Sequence, residues 1–277
     1  MTTENIPLAG VIGSPIAHSR SPQLHGYWLR RYDIAGFYVP MNVAPEDVET
    51  VLHTLPRAGF VGANVTIPHK EAALKIADEI SETARSIGAA NTLTFLPDGR
   101  IHADNTDGYG FMANLRQGAP AWRPESGPAL VLGAGGAARA VIVALLDAGV
   151  PEIYLANRTR ARADELRAAF GAKITVIGWA DARDAVEPAH LIVNTTSLGM
   201  TGKPPLEIDL SGLRPETLVT DLVYAPLRTG LLETAAARGC ATVDGLGMLL
   251  HQGVPGFERW FGHRPEVTDA LRDAVLG

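Results

Sequence analysis

The run Ala129-Leu130-Val131-Leu132-Gly133-Ala134-Gly135-Gly136-Ala137-Ala138 constrains this chain more than any other stretch. Its four apolar residues read as a short buried strand, and after the small-residue segment 133–140 a helix is expected through Leu146. The turn between them has the form G-x-G-x-x-A. Glycines there allow a tight turn and let the backbone approach a pyrophosphate seated on the helix N-terminus. A glycine pattern alone is weak, and its ordinary competitor is a small-residue turn with no ligand. Here a second strand, expected over residues 152–157, completes the strand-helix-strand context that the motif requires.

The tip of that second strand selects the cofactor. A site for NAD places Asp or Glu about 20 residues after the glycines, on the ribose 2′-hydroxyl. This chain instead has Asn157-Arg158-Thr159-Arg160, followed by Arg162. A guanidinium fork matches phosphate oxygens, so Arg158 predicts a 2′-phosphate and hence NADP(H). The bland alternative is a solvated basic patch opening the next helix.

At 277 residues the chain exceeds one comfortable core and falls short of three. A charged fraction of 19% and a net charge of −6 leave no basic excess to neutralise nucleic-acid phosphates or an acidic membrane. A small anionic substrate needs only a local site and stays open. The single cysteine, Cys240, excludes an internal disulfide and fits a reducing compartment. No apolar run approaches the ~20 residues that span a bilayer, and the first five residues do not resemble a secretory signal, so a cytoplasmic location is expected. The eight histidines are scattered without metal-ligand spacing, and no metal is predicted.

Before the glycine turn the chain also alternates strands and helices. A strand over 8–12 ends in the loop Gly13-Ser14-Pro15-Ile16-Ala17-His18-Ser19-Arg20-Ser21-Pro22. Ser21 before Pro22 predicts a helix start with Ser21 as N-cap, and Leu24, Tyr27, Trp28 and Arg31 follow at helical spacing. Hydroxyls at a helix N-terminus suit an anion, although a serine-capped turn is the commoner explanation. Residues 36–43 predict a strand, at an edge because it contains Pro40. A helix opens at Pro45. The apolar approach to Asn64-Val65-Thr66-Ile67-Pro68-His69-Lys70 predicts a strand that Pro68 stops. Asn64, Thr66 and Lys70 then stand at a strand's carboxyl end, where ligands of open α/β sheets bind; a solvated lysine is the bland reading. Residues 71–87 predict helix, and Leu96-Pro97-Asp98-Gly99 predicts a hairpin turn. Asp104-Asn105-Thr106-Asp107-Gly108 leads into a further helix.

Three prolines and two glycines over residues 117–128 suggest a joint, with Asp107 close to it. Strands are expected over 173–177, 190–194, 218–222 and 241–243, and a last helix over 266–276. Asn194-Thr195-Thr196-Ser197-Leu198-Gly199-Met200 and Asp221-Leu222-Val223-Tyr224-Ala225-Pro226 each end a strand in residues that suit a bound ribose or nicotinamide. The expected architecture is α/β in two domains. Residues 1–108 form an N-terminal α/β domain, and 109–244 form a Rossmann-type doubly wound dinucleotide-binding domain. Residues 245–277 return as helices to the first.

These segments, in this order, resemble those of the shikimate dehydrogenases. The likeness rests on the Ser19–Pro22 loop, the Asn64–Lys70 segment, Ala90-Asn91-Thr92, Asn105–Gly108, the glycine turn, Asn157-Arg158-Thr159, residues 194–200 and Gly245-Leu246-Gly247-Met248-Leu249-Leu250-His251-Gln252. It implies a substrate-binding role for the N-terminal domain. Ser19 and Ser21 would hold a carboxylate. Thr66, Asn91, Asp107 and Gln252 would bind ring hydroxyls, with Tyr224 nearby. Lys70 would be the acid/base group, paired with Asp107. Gly133, Ala134, Gly135, Gly136 and Ala137 would cradle the pyrophosphate. Asn157, Arg158, Thr159, Arg160 and Arg162 would line the 2′-phosphate side, and Leu222 and Gly245 the nicotinamide end. Family members commonly carry His-Asn where this chain has His25-Gly26.

The resemblance implies reversible, NADP(H)-dependent interconversion of 3-dehydroshikimate and shikimate by a monomer or homodimer. Three alternatives stay open: quinate use, another two-domain nicotinamide enzyme such as a methylenetetrahydrofolate dehydrogenase, and a catalytically silent sensor. The paired serines suit a small carboxylate better than a folate, and a sensor has no need of both Lys70 and Asp107.

Overall fold

The computed structural model describes residues 6–277, which divide into two compact units, 6–106 with 250–277 and 107–249. The first unit contains β1 (Leu8–Gly13), α1 (Ser21–Arg31), β2 (Phe37–Asn42), α2 (Val48–Thr54), β3 (Phe60–Val65) and α3 (Lys70–Ile76). It continues with β4 (Glu79–Ile80), α4 (Glu82–Ile87), β5 (Thr92–Phe95) and β6 (Ile101–Asp104). The strands form one mixed sheet in the order β2-β1-β3-β5-β6-β4. β1 is parallel to β2 and β3, while β5 pairs antiparallel with both β3 and β6. Pro40 sits in β2, at the sheet's edge, where a missing donor costs no ladder bond.

Two helices close the chain, α9 (Leu246–Phe261) and α10 (Asp269–Leu276), and the division between units falls inside α9, at Leu249/Leu250. The second half of α9 is pinned to the first unit's sheet through Trp260, whose indole Nε1 donates to the Leu93 carbonyl at 3.0 Å. Gly62 makes this possible, since an added Cβ there would lie 1.9 Å from Trp260 Nε1. Trp28 Nε1 donates to Glu266 O at 3.0 Å, tying α1 to the segment before α10. From Leu250 onward the C-terminal helices thus belong to the first unit.

The second unit contains α5 (Asp107–Gly118), β7 (Ala129–Leu132), α6 (Gly136–Asp147), β8 (Ile153–Ala156), α7 (Arg160–Phe170) and β9 (Ile174–Ile177). β10 (Leu191–Asn194), β11 (Leu218–Asp221), α8 (Gly230–Ala237) and β12 (Thr242–Val243) follow. Its six strands are all parallel, in the order β12-β11-β10-β7-β8-β9. Strand order reverses between β7 and β10, the switch point of a doubly wound sheet. Every residue of β7 and β10 is buried, as strands covered on both faces require.

Four local expectations are corrected. The division precedes α5 rather than falling in residues 117–128, because α5 packs on α6: an added Cβ on Gly108 would lie 3.1 Å from both the Ala140 carbonyl oxygen and Ala144 Cβ. Residues 71–87 are not one helical stretch; α3 ends at Ile76, and Glu79 and Ile80 pair with β6 before Ser81 caps α4 by accepting from Ala84 N at 3.0 Å. The α1 cap is Arg20, not Ser21, and the Ser21 N–H donates to Ser19 Oγ at 3.3 Å. The last helix starts at Asp269, where Thr268 supplies the N-cap by accepting from Leu271 N.

Candidate active site

In the first unit Asn91 is the hub. It is 3% exposed, and its Oδ1 accepts from Thr106 N at 2.8 Å, Thr92 Oγ1 at 2.9 Å and Thr106 Oγ1 at 3.2 Å. With Oδ1 committed to the protein, only the amide Nδ2 can turn to a ligand, and it donates to Gln252 Oε1 at 3.3 Å. The one Thr106 hydroxyl proton is shared between Asn91 Oδ1 and the nearer Gln252 carbonyl, 2.9 Å away. Asn64 Nδ2 donates to Asn91 O at 3.1 Å and to Thr92 Oγ1 at 3.2 Å. Residues from β3, the start of β5, the end of β6 and α9 therefore meet in one polar cluster.

Lys70 is half-buried as the first residue of α3. Its carbonyl accepts from Ala90 N at 2.9 Å, which ties the helix start to the residue before Asn91. The preceding His69 is 1% exposed, and its Nε2 donates to the Val43 carbonyl at 2.8 Å. That bond anchors the Lys70 turn to the end of β2, a structural use for a histidine that sequence left unexplained. Thr66 is half-buried after β3; its N–H donates to Ile12 O and its carbonyl accepts from His69 N, both at 2.9 Å. Ser19 and Ser21 are half-buried at the start of α1, whose first turn has no side-chain cap. Asp107 is 6% exposed as the first residue of α5, directly following the Thr106 that Asn91 holds.

In the second unit the glycine turn joins β7 to α6. Gly133 adopts φ +107°, a conformation open to glycine, and an added Cβ would lie 2.6 Å from Thr195 Oγ1. Gly135 is the N-cap of α6 and carries no capping side chain. Added Cβ atoms at Gly135 and Gly136 meet nothing within 4 Å, so there is room beside the start of the helix. An uncapped helix start with an open face fits a pyrophosphate. Ala137 is half-buried. Ala134 N donates to Asn157 Oδ1 at 3.2 Å, and Asn157 Nδ2 donates to Thr159 O at 2.8 Å, so Asn157 braces the turn against the end of β8. Arg158, Thr159, Arg160 and Arg162 are all exposed; Arg160 pairs with Asp164 at 3.7 Å. No acid stands at the β8 tip, and the donor set suits a 2′-phosphate.

Leu222 and Tyr224 are half-buried beyond β11, and Gly245 is buried against Leu222, whose carbonyl would lie 2.3 Å from an added Cβ. Sequence reasoning missed the residue that shapes this end. Asp221 is 0% exposed; its Oδ1 accepts from Asn194 Nδ2 and Val223 N, each at 2.9 Å, and its Oδ2 from Thr229 Oγ1 at 2.7 Å. Burial pushes its carboxyl above the ordinary range, opposed by these donors. Asn194 Oδ1 in turn accepts from Thr196 N at 3.0 Å and Thr196 Oγ1 at 2.7 Å. The loops after β10 and β11 are thereby locked together. Among the described residues no group of three or more His, Cys, Asp or Glu could hold a metal, and no helix is long and apolar enough to cross a membrane.

A parallel six-stranded sheet with a glycine turn at its switch strand, in a chain that also holds a separate α/β unit with a polar cluster, defines the two-domain dinucleotide-binding oxidoreductase class. Residues 11–93 match the family model described as the shikimate dehydrogenase substrate binding domain, residues 123–200 that of shikimate / quinate 5-dehydrogenase, and residues 245–276 that of the shikimate 5′-dehydrogenase C-terminal domain. The chain belongs to the shikimate dehydrogenase family. It is 68% identical over 277 residues to the shikimate dehydrogenase (NADP(+)) of Roseobacter denitrificans, covering 100% of both chains. It is 64% identical to that of Paracoccus denitrificans, covering 99% of this chain and 98% of the relative. Among solved structures it resembles the Thermus thermophilus shikimate 5-dehydrogenase in complex with NADP(H) and shikimate, at TM-score 0.86 and 37% identity over 97% of this chain and 98% of that one. It also resembles the NAD complex of quinate dehydrogenase from Corynebacterium glutamicum, at TM-score 0.89 and 33% identity, with the same coverage.

Proposed function

We propose that this chain catalyses the reversible reduction of 3-dehydroshikimate to shikimate with NADPH, within the pathway to chorismate and the aromatic amino acids. The observation that carries the reading is the Asn91 cluster. Ala90 N donates to the Lys70 carbonyl, and Asn91 Oδ1 accepts the Thr106 N–H, so Lys70 and Thr106 are tied to adjacent residues of the first unit. The full-length identity to relatives named shikimate dehydrogenase (NADP(+)) supports the same substrate and cofactor.

Ser19 and Ser21 hold the substrate carboxylate, their hydroxyls backed by the uncapped start of α1. Thr66, Asn91 through Nδ2, Asp107 and Gln252 bind the ring hydroxyls, with Tyr224 beside them. The open glycine turn from Gly133 to Ala137 holds the pyrophosphate, Arg158 with Thr159, Arg160 and Arg162 the 2′-phosphate, and Leu222 and Gly245 border the nicotinamide. NADPH, when bound, supplies the hydride to the substrate carbonyl carbon. Lys70 gives its proton to the carbonyl oxygen as negative charge develops there, and in the reverse direction it takes that proton back. Asp107 serves as the partner that orients the ammonium. Lys70→Met is expected to lower kcat by roughly 100-fold or more while leaving substrate binding largely intact. Near-wild-type turnover in that variant would remove Lys70 from the mechanism.

A second reading, use of quinate as well, is favoured by the likeness to a quinate dehydrogenase. Assays of shikimate and quinate, each with NADP+ and NAD+, separate the two. Activity confined to shikimate with NADP+ is expected, and turnover of neither acid would overturn the assignment.

A further inference from the structure

Gln252 meets the Asn91 cluster from α9, a helix poorly built to hold it there. Its Oε1 accepts from Asn91 Nδ2 at 3.3 Å, and its carbonyl accepts from the Thr106 hydroxyl at 2.9 Å. The N–H donors of the carboxamide are thereby left for a ligand. The next turn of α9 contains Gly253, Pro255 and Gly256. Proline lacks the N–H that would bond the carbonyl four residues back, and proline and glycine are the poorest helix formers. Gly253 is needed for packing, since an added Cβ would lie 2.9 Å from Leu24 Cδ2 of α1. A glycine offers no side-chain ridge, so at that turn nothing of its own locks the rotation of the helix.

Further along α9, two polar bonds leave from adjacent residues. Trp260 Nε1 donates to the Leu93 carbonyl of β5 at 3.0 Å, and Arg259 Nη2 donates to Asp104 Oδ2 at the end of β6 at 2.5 Å. Adjacent helical residues point about 100° apart, so bonds to two paired strands hold both the height and the turn of the helix. Asp104 is a fixed target. Its side chain is only 13% exposed, and its Oδ1 accepts from Ser81 Oγ at 2.7 Å and from Asn105 N at 2.8 Å. Its carbonyl accepts from Asn91 N at 3.0 Å. The contacts close a ring: Arg259 to Asp104, Asp104 to Asn91, Asn91 to Gln252, and α9 back to Arg259.

We propose that Arg259 is a positioning residue for the substrate: its pairing with Asp104 closes this ring and sets the height and turn at which α9 delivers the Gln252 carboxamide. The proposal rests on the shikimate dehydrogenase reading, in which Gln252 binds a ring hydroxyl. Without the guanidinium, α9 keeps the Trp260 bond, but its Gln252 end gains freedom through the glycine-proline turn. Shikimate binding should weaken, while the cofactor, held at the glycine turn of the second unit, is bound as before.

The test uses the full chain with Arg259→Leu, Asp104→Asn, Gln252→Ala, and Arg259→Leu combined with Gln252→Ala. Arg259→Leu is expected to raise the KM for shikimate about three- to fivefold, within the weight of one neutral hydrogen bond, with the kcat and the KM for NADP+ inside about twofold of wild type. Asp104→Asn keeps an acceptor for Ser81 and Asn105 but gives up the charge. It should have the same effect, and it keeps the test open if Arg259→Leu folds poorly. Gln252→Ala should itself raise the shikimate KM. Adding Arg259→Leu to it should change that KM by less than about 1.5-fold, since both act through one carboxamide, while still lowering Tm. A merely structural pair would lower Tm in both backgrounds and leave the shikimate KM alone. That result, or an equal KM increase in the Gln252→Ala background, overturns the proposal alone. A wild-type shikimate KM in Gln252→Ala, or no shikimate turnover by the unaltered chain, overturns the functional reading beneath it and the proposal with it.

Discussion

Replacing Asn91 by alanine tests the candidate site at its hub. Three hydrogen bonds converge on Asn91 Oδ1, but their loss is not equivalent. The Thr92 hydroxyl keeps Asn64 Nδ2 and Thr106 Oγ1 as partners, and the Thr106 hydroxyl keeps the Gln252 carbonyl. The Thr106 N–H loses the acceptor it had at 2.8 Å, in a residue only 2% exposed. An orphaned buried donor costs about 1–3 kcal/mol. The small void left by the carboxamide brings the expected total to about 2–4 kcal/mol. Thr106→Val is the comparison, since it removes the hydroxyl but leaves the N–H bonded; it should cost less than about 1 kcal/mol. Urea unfolding read by Trp28 and Trp260, with Trp122 and Trp179 replaced by Phe, confines the signal to the first unit. Asn91→Ala should also raise the shikimate KM, because Gln252 Oε1 loses the donor that orients it. A loss under about 0.5 kcal/mol in Asn91→Ala, or an equal loss in Thr106→Val, would refute the orphaned-donor reasoning.

Two further outcomes are expected. Arg158→Ala should raise the KM for NADPH by roughly tenfold or more and leave the KM for NADH nearly unchanged, because a guanidinium–phosphate pair is lost only with the phosphorylated cofactor; an equal effect on both would mean that the 2′-phosphate is read elsewhere. Arg259→Leu should cost about 1–2 kcal/mol at pH 7, since Arg259 Nη2 lies 2.5 Å from a mostly buried Asp104 Oδ2. Burial raises the Asp104 carboxyl, but Ser81, Arg259 and the Asn105 N–H together hold it below its ordinary value. With the folded value depressed, this contribution is complete above the unfolded carboxyl pKa of about 4 and fades as pH falls through the folded value. Urea midpoints of the two proteins should therefore converge in acid, and a constant difference from pH 7 down to pH 2 would count against the ion pair.

Much of the second unit was legible because its signals are local. Short apolar runs, a glycine turn and a missing acid at the next strand tip all lie within about thirty residues, the span of one βαβ unit. In the first unit, Pro40 marked the edge strand and Asp98-Gly99 the hairpin, each by backbone chemistry that needs no partner. What could not be read depends on distant partners. Glu79 and Ile80 look helical by composition and become strand only because β6 offers them an edge. Asp221, at the end of an apolar run, gives no sign that it gathers donors from Asn194, Val223 and Thr229.

By itself, then, the sequence determined the class of each half, the switch-strand glycine turn, the basic 2′-phosphate corner and the lysine at a strand's end. Those properties follow from side-chain periodicity and from glycine and proline backbone limits, which act over a few residues. The tertiary structure alone decided that Asn91 gathers Thr92, Thr106 and Gln252 into one cluster, and that His69 anchors the lysine's turn to Val43. Each of these joins segments far apart in sequence by hydrogen bonds. Such a bond is set by desolvation at one buried point in space, which no spacing along the chain encodes.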